Sequence, residues 1–232
     1  MIAIVDKVYY DVIKERLKAY NITAYPSYES KILPAPVNTH PDMSCFVYDT
    51  KSMITSYESY EYYESIFKGS GISLINSYEN PETKYPYDVK FNALRVSDYL
   101  ISKESVSAAA IKERFSKDKL INSSQGYVKC SVIDIAGKYF ISDDIYLEKI
   151  ISALGYKTLL VDKGLVKIDG YDYGFIGGAS GYAENKIFLS GRIKDEKNRK
   201  RIEEFVLSIN KELIYLTEYD IFDVGTLMIM ED

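Results

Sequence analysis

A fivefold recurrence of short apolar runs restricts this chain more than any other feature. IAIVDK at Ile2, SMITSY at Ser52, YLISKE at Tyr99, YFISDD at Tyr139 and IFLSGR at Ile187 each read as a strand. Four of them carry a hydroxyl residue, Thr55, Ser102, Ser142 and Ser190, spaced roughly every forty to fifty positions, a period that marks a repeat architecture. A helix-like stretch follows each run: YYDVIKERLKAY, ESYEYYESIFK, ESVSAAAIKERF, DIYLEKIISALG and KDEKNRKRIEEFVLSI. The hydroxyl residues are expected to cap these helices, because a side-chain oxygen satisfies an orphan N–H of the first turn. In the last stretch Ile202, Phe205, Val206 and Ile209 share one face at helical spacing. Gly155 is expected just past the end of the fourth.

Another short strand follows each helix: NITAYPS, GISLINS, KLINSS, YKTLLVD and KELIYLT. Ahead of four of the runs lies a further strand, in SCFVYD, VKFNALRV, YVKCSVID and GFIGGASG. In IDIAGKYFIS the link reads as a hairpin turn, with Gly137 supplying the left-handed backbone. The unit is therefore strand, strand, helix, strand. Its fifth copy is split, with GTLMIMED as the first strand and MIAIVD as the second. Pairing the two would close a ring and leave no exposed sheet edge. The expected architecture is an α/β propeller of five pseudo-symmetric strand-strand-helix-strand units, closed by N- and C-terminal strands, as one domain over residues 1–232. The alternative is an open α/β sheet whose terminal strands are unrelated.

Composition narrows the function classes. The net charge of −5 and pI near 5.2 argue against a nucleic-acid binder, which carries a basic footprint. The basic run Lys197 to Arg201 is flanked by acidic residues and reads as a solvated helix face. With Cys45 and Cys130 as the two cysteines, no disulfide scaffold is expected, and the thiols point to the cytoplasm. No apolar run approaches the ~20 residues that cross a bilayer, so no membrane partner is expected. The N-terminus shows no basic flank or cleavage site, so no export is expected. Oligomeric state is not readable.

Five such units around a pseudo-fivefold axis resemble the pentein, or guanidino-group-modifying enzyme, fold. That superfamily includes arginine deiminases, dimethylarginine dimethylaminohydrolases, amidinotransferases and a ribosome anti-association factor. The best local match is Phe46-Val47-Tyr48-Asp49-Thr50, which looks like the FVED-type segment of the dimethylarginine hydrolases. The resemblance implies that Asp49 helps to hold a guanidinium group, with Tyr48 where the family has Glu. It also implies a catalytic Cys near the C-terminus and a His in a middle repeat. Thr226 stands where that Cys is sought, and no His lies near GYVKCSV; His40, in an early loop, is the one histidine. The Cys-His pair is thus absent from its usual places.

In such a ring, residues entering the first strands surround a central channel. Asp42, Asp88 and Asp223 stand at similar points of three units, and Lys90 and Lys129 follow β-branched residues in two. Several carboxylates with two ammonium groups suit a small cationic or zwitterionic molecule, and crowded carboxylates raise one another's pKa. The competing reading is that these aspartates only start strands or turns. Cys130 beside Lys129, and Cys45 near His40 and Asp42, are the candidate catalytic residues; the plainer reading of each cysteine is a small buried hydrophobe. One His and two distant Cys make no zinc spacing, so neither metal nor cofactor is expected. Gly177-Gly178-Ala179-Ser180-Gly181 lacks the lysine and spacing of a phosphate loop, and the glycines are expected to allow close approach at the channel mouth. Arg192 reads as an exposed cation before a helix.

The leading expectation is a protein that binds a small polar amino-acid-like or guanidino-like ligand without Cys-His chemistry. Two rivals stand beside it. One is an atypical Cys-dependent hydrolase or amidinotransferase on guanidino compounds. The other is a non-catalytic interaction protein, which would show a bland channel and an exposed apolar patch.

Overall fold

The structure, a computed structural model, describes residues 1–231. Its strands form five separate three-stranded sheets. The middle strands are β1 (Ile2–Val5), β4 (Ser52–Thr55), β7 (Tyr99–Ser102), β10 (Tyr139–Ser142) and β13 (Lys186–Leu189). Each pairs in parallel with the strand after its helix: β2 (Thr23–Pro26), β5 (Ser73–Asn76), β8 (Leu120–Asn122), β11 (Lys157–Leu160) and β14 (Glu212–Tyr215). Each also pairs antiparallel with a first strand: β3 (Cys45–Asp49), β6 (Leu94–Val96), β9 (Val132–Ile135), β12 (Ser180–Ala183) and β15 (Met228–Met230). β15 belongs to β1, with Ile2 opposite Met230 and Ile4 opposite Met228. The split fifth unit is real, and the ring closes through it.

The middle strands are almost wholly buried because sheet neighbours and helices cover both faces, which is why they read as unbroken apolar runs. The parallel crossovers are α1 (Tyr10–Lys18), α2 (Tyr60–Phe67), α3 (Ala109–Lys112), α4 (Ile145–Ala153) and α5 (Glu196–Ser208). α5 buries Ile202, Phe205 and Val206 against its sheet. Ala136 (φ +59°) and Gly137 (φ +65°) form the β9–β10 turn, and Gly155 (φ +89°) follows α4, as their sequence contexts required. No helix among the described residues is long and apolar enough to cross a membrane.

Three local expectations are corrected. The hydroxyl residues do not cap the helices. Asp144 caps α4 and Asp195 caps α5, each accepting backbone N–H groups of the first turn. Ser142 Oγ instead donates to the Ser131 carbonyl at 3.0 Å, and Ser190 Oγ bonds the backbone of Phe222, so both tie a middle strand to a neighbouring turn. The third helix is one turn long, because Ala108 is extended (φ −54°, ψ 137°) and its N–H goes to the Lys90 carbonyl. Cys130 lies in a turn that precedes β9, not within the strand.

Candidate functional site at the ring axis

Each first strand is preceded by a turn, and the five turns meet. Asp42, Asn92, Cys130, Gly178 and Thr226, one from each unit, form a closed circuit. Asn92 Nδ2 reaches the Asp42 carbonyl at 3.5 Å and Cys130 Sγ at 2.9 Å. Gly178 N–H donates to the Cys130 carbonyl at 2.8 Å, and Thr226 N–H donates to the Gly178 carbonyl at 2.8 Å. Thr226 Oγ1 closes the loop on Asp42 Oδ2 at 2.8 Å, and the Cys130 thiol crosses it to the same oxygen at 3.1 Å. All five residues are buried.

The glycines explain how the turns come so close. A Cβ on Gly177 would overlap the carbonyl oxygens of Lys129, Val132 and Cys130, and one on Gly178 would overlap the Asp223 carboxylate. Thr226 is held at φ +68°, a conformation that costs a β-branched residue about 1–3 kcal/mol and survives only where its surroundings fix it.

Around this circuit stand more carboxylates. Asp6 and Asp143 directly follow β1 and β10, and Asp223 lies in the turn before β15. His40 sits between two of them, with Nε2 3.5 Å from Asp6 Oδ2 and Nδ1 3.8 Å from Asp223 Oδ1. Asp223 accepts the N–H groups of Phe175 and Gly225 at 2.9 Å each. Asp143 Oδ2 accepts Ile176 N–H at 2.9 Å. Asp42 Oδ1, Asp88 Oδ1 and Asp143 Oδ1 are buried with no protein donor. Such oxygens are rare in folded proteins, because each forfeits its hydration uncompensated.

Burial dominates the electrostatics. It raises the carboxyls of Asp6 and Asp223, in both cases against the pull of His40. It carries Asp143 up to about 7, helped by the Asp223 charge. Burial, then the charges of Asp42 and Asp223, push the Cys130 thiol well above its ordinary value. The thiol is therefore protonated and donates to Asp42.

The sequence-derived candidates separate into two groups. Asp42, Asp223, His40 and Cys130 lie at the axis. Cys130 keeps polar company there and is not the plain hydrophobe that its neighbours suggested. Asp88 lies one step outward, its Oδ2 accepting the Tyr127 hydroxyl at 2.7 Å. The others point elsewhere. Asp49 is exposed at the β3–β4 turn, accepting Lys51 N–H at 2.8 Å. Lys90 is held by Glu79 and Glu82 at 3.7 and 3.8 Å. Lys129 gives its N–H to Asn92 but sends its ammonium toward the Val132 carbonyl and Asp134, along β9. Cys45 is buried, and its thiol is pushed up to about 12. Asn92, Asp6 and Asp143 were not singled out from sequence. Asp6 and Asp143 follow the apolar runs directly, in IVD and ISD, and that placement was the available signal.

Two recesses indent the outer surface. One of about 450 Å³ is lined by Tyr10, Lys14 and Lys18, and one of about 320 Å³ by Tyr48, Arg95 and Arg114. Neither combines converging groups with burial as the axis does. Among the described residues, no cluster of three or more His, Cys, Asp or Glu side chains is arranged to hold a metal ion.

A family model described as "Family of unknown function (DUF6873)" matches residues 4–228. No curated protein sequence matches the chain. Among solved structures, a DDAH from Pseudomonas aeruginosa, a mutant complexed with citrulline, superposes with a TM-score of 0.54 at 9% identity, covering 92% of this chain and 91% of that one. An apo arginine dihydrolase, ArgZ, from the ornithine-ammonia cycle in cyanobacteria gives a TM-score of 0.32 at 12% identity, covering 69% of this chain and 36% of that one. The first likeness establishes the pentein α/β-propeller fold and nothing finer.

Proposed function

Because the chain belongs to the DUF6873 family, whose function is unknown, its own axial residues must carry the argument, and from them we propose that it binds a small organic cation of guanidino or amino type. One observation carries this reading. Asp42 and Asp143 each keep a buried carboxylate oxygen without a donor, and Asp223 lies within electrostatic reach of both. A guanidinium or ammonium group brings several N–H donors and a positive charge, which is what such a set lacks. The strained Thr226, locked by its hydroxyl on Asp42, keeps that carboxylate in place. Cys130 is a neighbour of the ligand in this reading and remains a thiol.

Calorimetric titration with methylguanidine, guanidine and arginine tests the proposal, with a thermal melt to confirm folding. Asp42→Asn should weaken binding about ten- to a hundredfold, the usual effect of losing one charge-assisted hydrogen bond. Absence of binding by any of the three cations would sink it.

A second reading has its own support. The Cys130 proton already points at a carboxylate, so sulfur could attack a guanidino carbon as Asp42 takes the thiol proton; the C–N bond then breaks as Asp42 returns that proton to the departing amine, and water hydrolyses the S-linked thiouronium to free the thiol. That reading requires ammonia or amine release, and Cys130→Ser would abolish turnover. In the leading reading Cys130→Ser keeps binding and no product forms.

A further inference from the structure

A row of four aromatic rings leads outward from the axial carboxylates. Tyr127 and Phe175 stack with centroids 5.7 Å apart and planes at 25°. Tyr85 continues the stack from Tyr127 at 5.8 Å and 26°, and Tyr173 meets Phe175 edge-on at 6.3 Å. Both inner residues are held by buried carboxylates, Tyr127 through its ring hydroxyl to Asp88 and Phe175 through its backbone N–H to Asp223. The two outer rings are open to water, Tyr85 at 49% and Tyr173 at 39% exposure. Gly126 seats the row, because a Cβ there would overlap the Tyr85 ring and Val89.

Rings that only filled a core would be buried. A graded row, wet at one end and fixed to carboxylates at the other, suits a molecule with a charged head and an apolar body. We infer that the cation taken at the axis carries an aromatic or similarly flat apolar tail, which lies along the Tyr127–Phe175 wall. The inference rests on the cation-binding reading above and narrows its ligand class. The charged groups beside the row agree with it. Lys90 is held by Glu79 and Glu82, and Lys103 lies over the Tyr85 ring with its ammonium on the Ser124 carbonyl. A polar amino-acid tail gains little from such a wall, whereas a flat apolar one gains contact area and quadrupole attraction with each ring.

The experiment compares methylguanidine with benzylguanidine and phenethylguanidine on the full chain by calorimetry. The head group is shared, so the difference reports the tail. At least one aryl compound should bind about tenfold tighter than methylguanidine, with each ring contact contributing about two- to tenfold. Tyr173→Ala and Tyr85→Ala should each erase part of that advantage and leave methylguanidine affinity unchanged. Tyr173 is exposed enough that its variant folds even if the Tyr85 variant does not. Equal affinities for methylguanidine and both aryl compounds, with Asp42→Asn weakening all three, would overturn the tail and keep the cation site. No binding of any of the three would overturn both.

Discussion

Cys130 Sγ donates a hydrogen bond to Asp42 Oδ2 at 3.1 Å, although the two residues stand 88 positions apart in the chain. The contact joins the turns of two units, and it helps to hold the Cys130 thiol in its protonated form. A thiol that donates to a carboxylate keeps its proton, and ionising it would set two negative charges side by side in a dry site.

Alkylation checks this. At pH 7.5 Cys130 should react with iodoacetamide far more slowly than a free thiol. Asp42→Asn removes the repelling charge and should speed labelling severalfold. Cys45, buried and pushed up to about 12, is the internal control and should stay unlabelled in both proteins. Rapid labelling of Cys130 in the unchanged protein would refute the protonated thiol.

The buried carboxyls predict an unusual pH response. Asp143 titrates near 7 in the folded protein against 3.8 as a free group, and Asp6 and Asp223 shift the same way. Between those values the folded chain holds a proton that the unfolded chain has released. The Asp143 contribution is therefore full below about 4 and is lost as pH rises through about 7. From pH 5 to pH 8, Asp143→Asn should gain on the unchanged protein by about 2–3 kcal/mol, read from denaturant melts at each pH. A constant difference would show that Asp143 is ionised throughout.

Gly177→Ala should be among the most damaging single changes. Its methyl group meets three carbonyl oxygens of the Lys129–Val132 turn, which are backbone and cannot swing aside. A loss of about 3 kcal/mol or more is expected, at the upper end of point-mutant effects. Gly137→Ala has open space around it and meets only the cost of its positive φ, so it should lose about 1 kcal/mol. Similar melts for the two variants would contradict the packing described for the axis.

Ring closure can be broken in two ways. Deleting residues 225–232 removes β15, strips β1 of its antiparallel partner and takes Thr226 from the circuit. The product should aggregate or melt without cooperativity, because the edge of β1 that β15 covered is opened. Met230→Ala keeps the strand but deletes a side chain that is 1% exposed, and should cost about 2–5 kcal/mol with cooperativity retained. A soluble truncation with an unchanged melt would refute closure.

The fold was legible because its signal is periodic. Strand runs, helices and the split unit repeat, so one misread segment does not disturb the order. Misreadings arose where a single hydrogen bond decides the outcome. Ser142 looked like a cap by position, yet Asp144, two residues on, has the geometry to accept from Tyr146 and Leu147. At the site, Asp42, Asp223, His40 and Cys130 were visible as residue types entering the right strands. Lys90 and Lys129 entered equivalent strands but turned away, toward Glu79 and Glu82 in one case and Asp134 in the other. Side-chain direction in an irregular turn follows from tertiary partners, and no spacing rule encodes it. Asp49 fell to the same cause, since β3 carries it from the axis to the far turn.

The pairing of β1 with β15 also sets an order in time. During synthesis four of the five sheets can assemble as their strands emerge, since each is contiguous in the chain. The remaining sheet waits, with β1 and β2 already made, until residue 230 is available. Long-range pairings of this kind are late and slow, and leave their edges open meanwhile. Asp6 comes from the first turn of the chain and Thr226 from the last. A chain made only as far as β14 therefore holds Asp42, Asn92 and Cys130 but lacks Asp223 and Thr226, so the axial circuit cannot close until the turn before β15 is made.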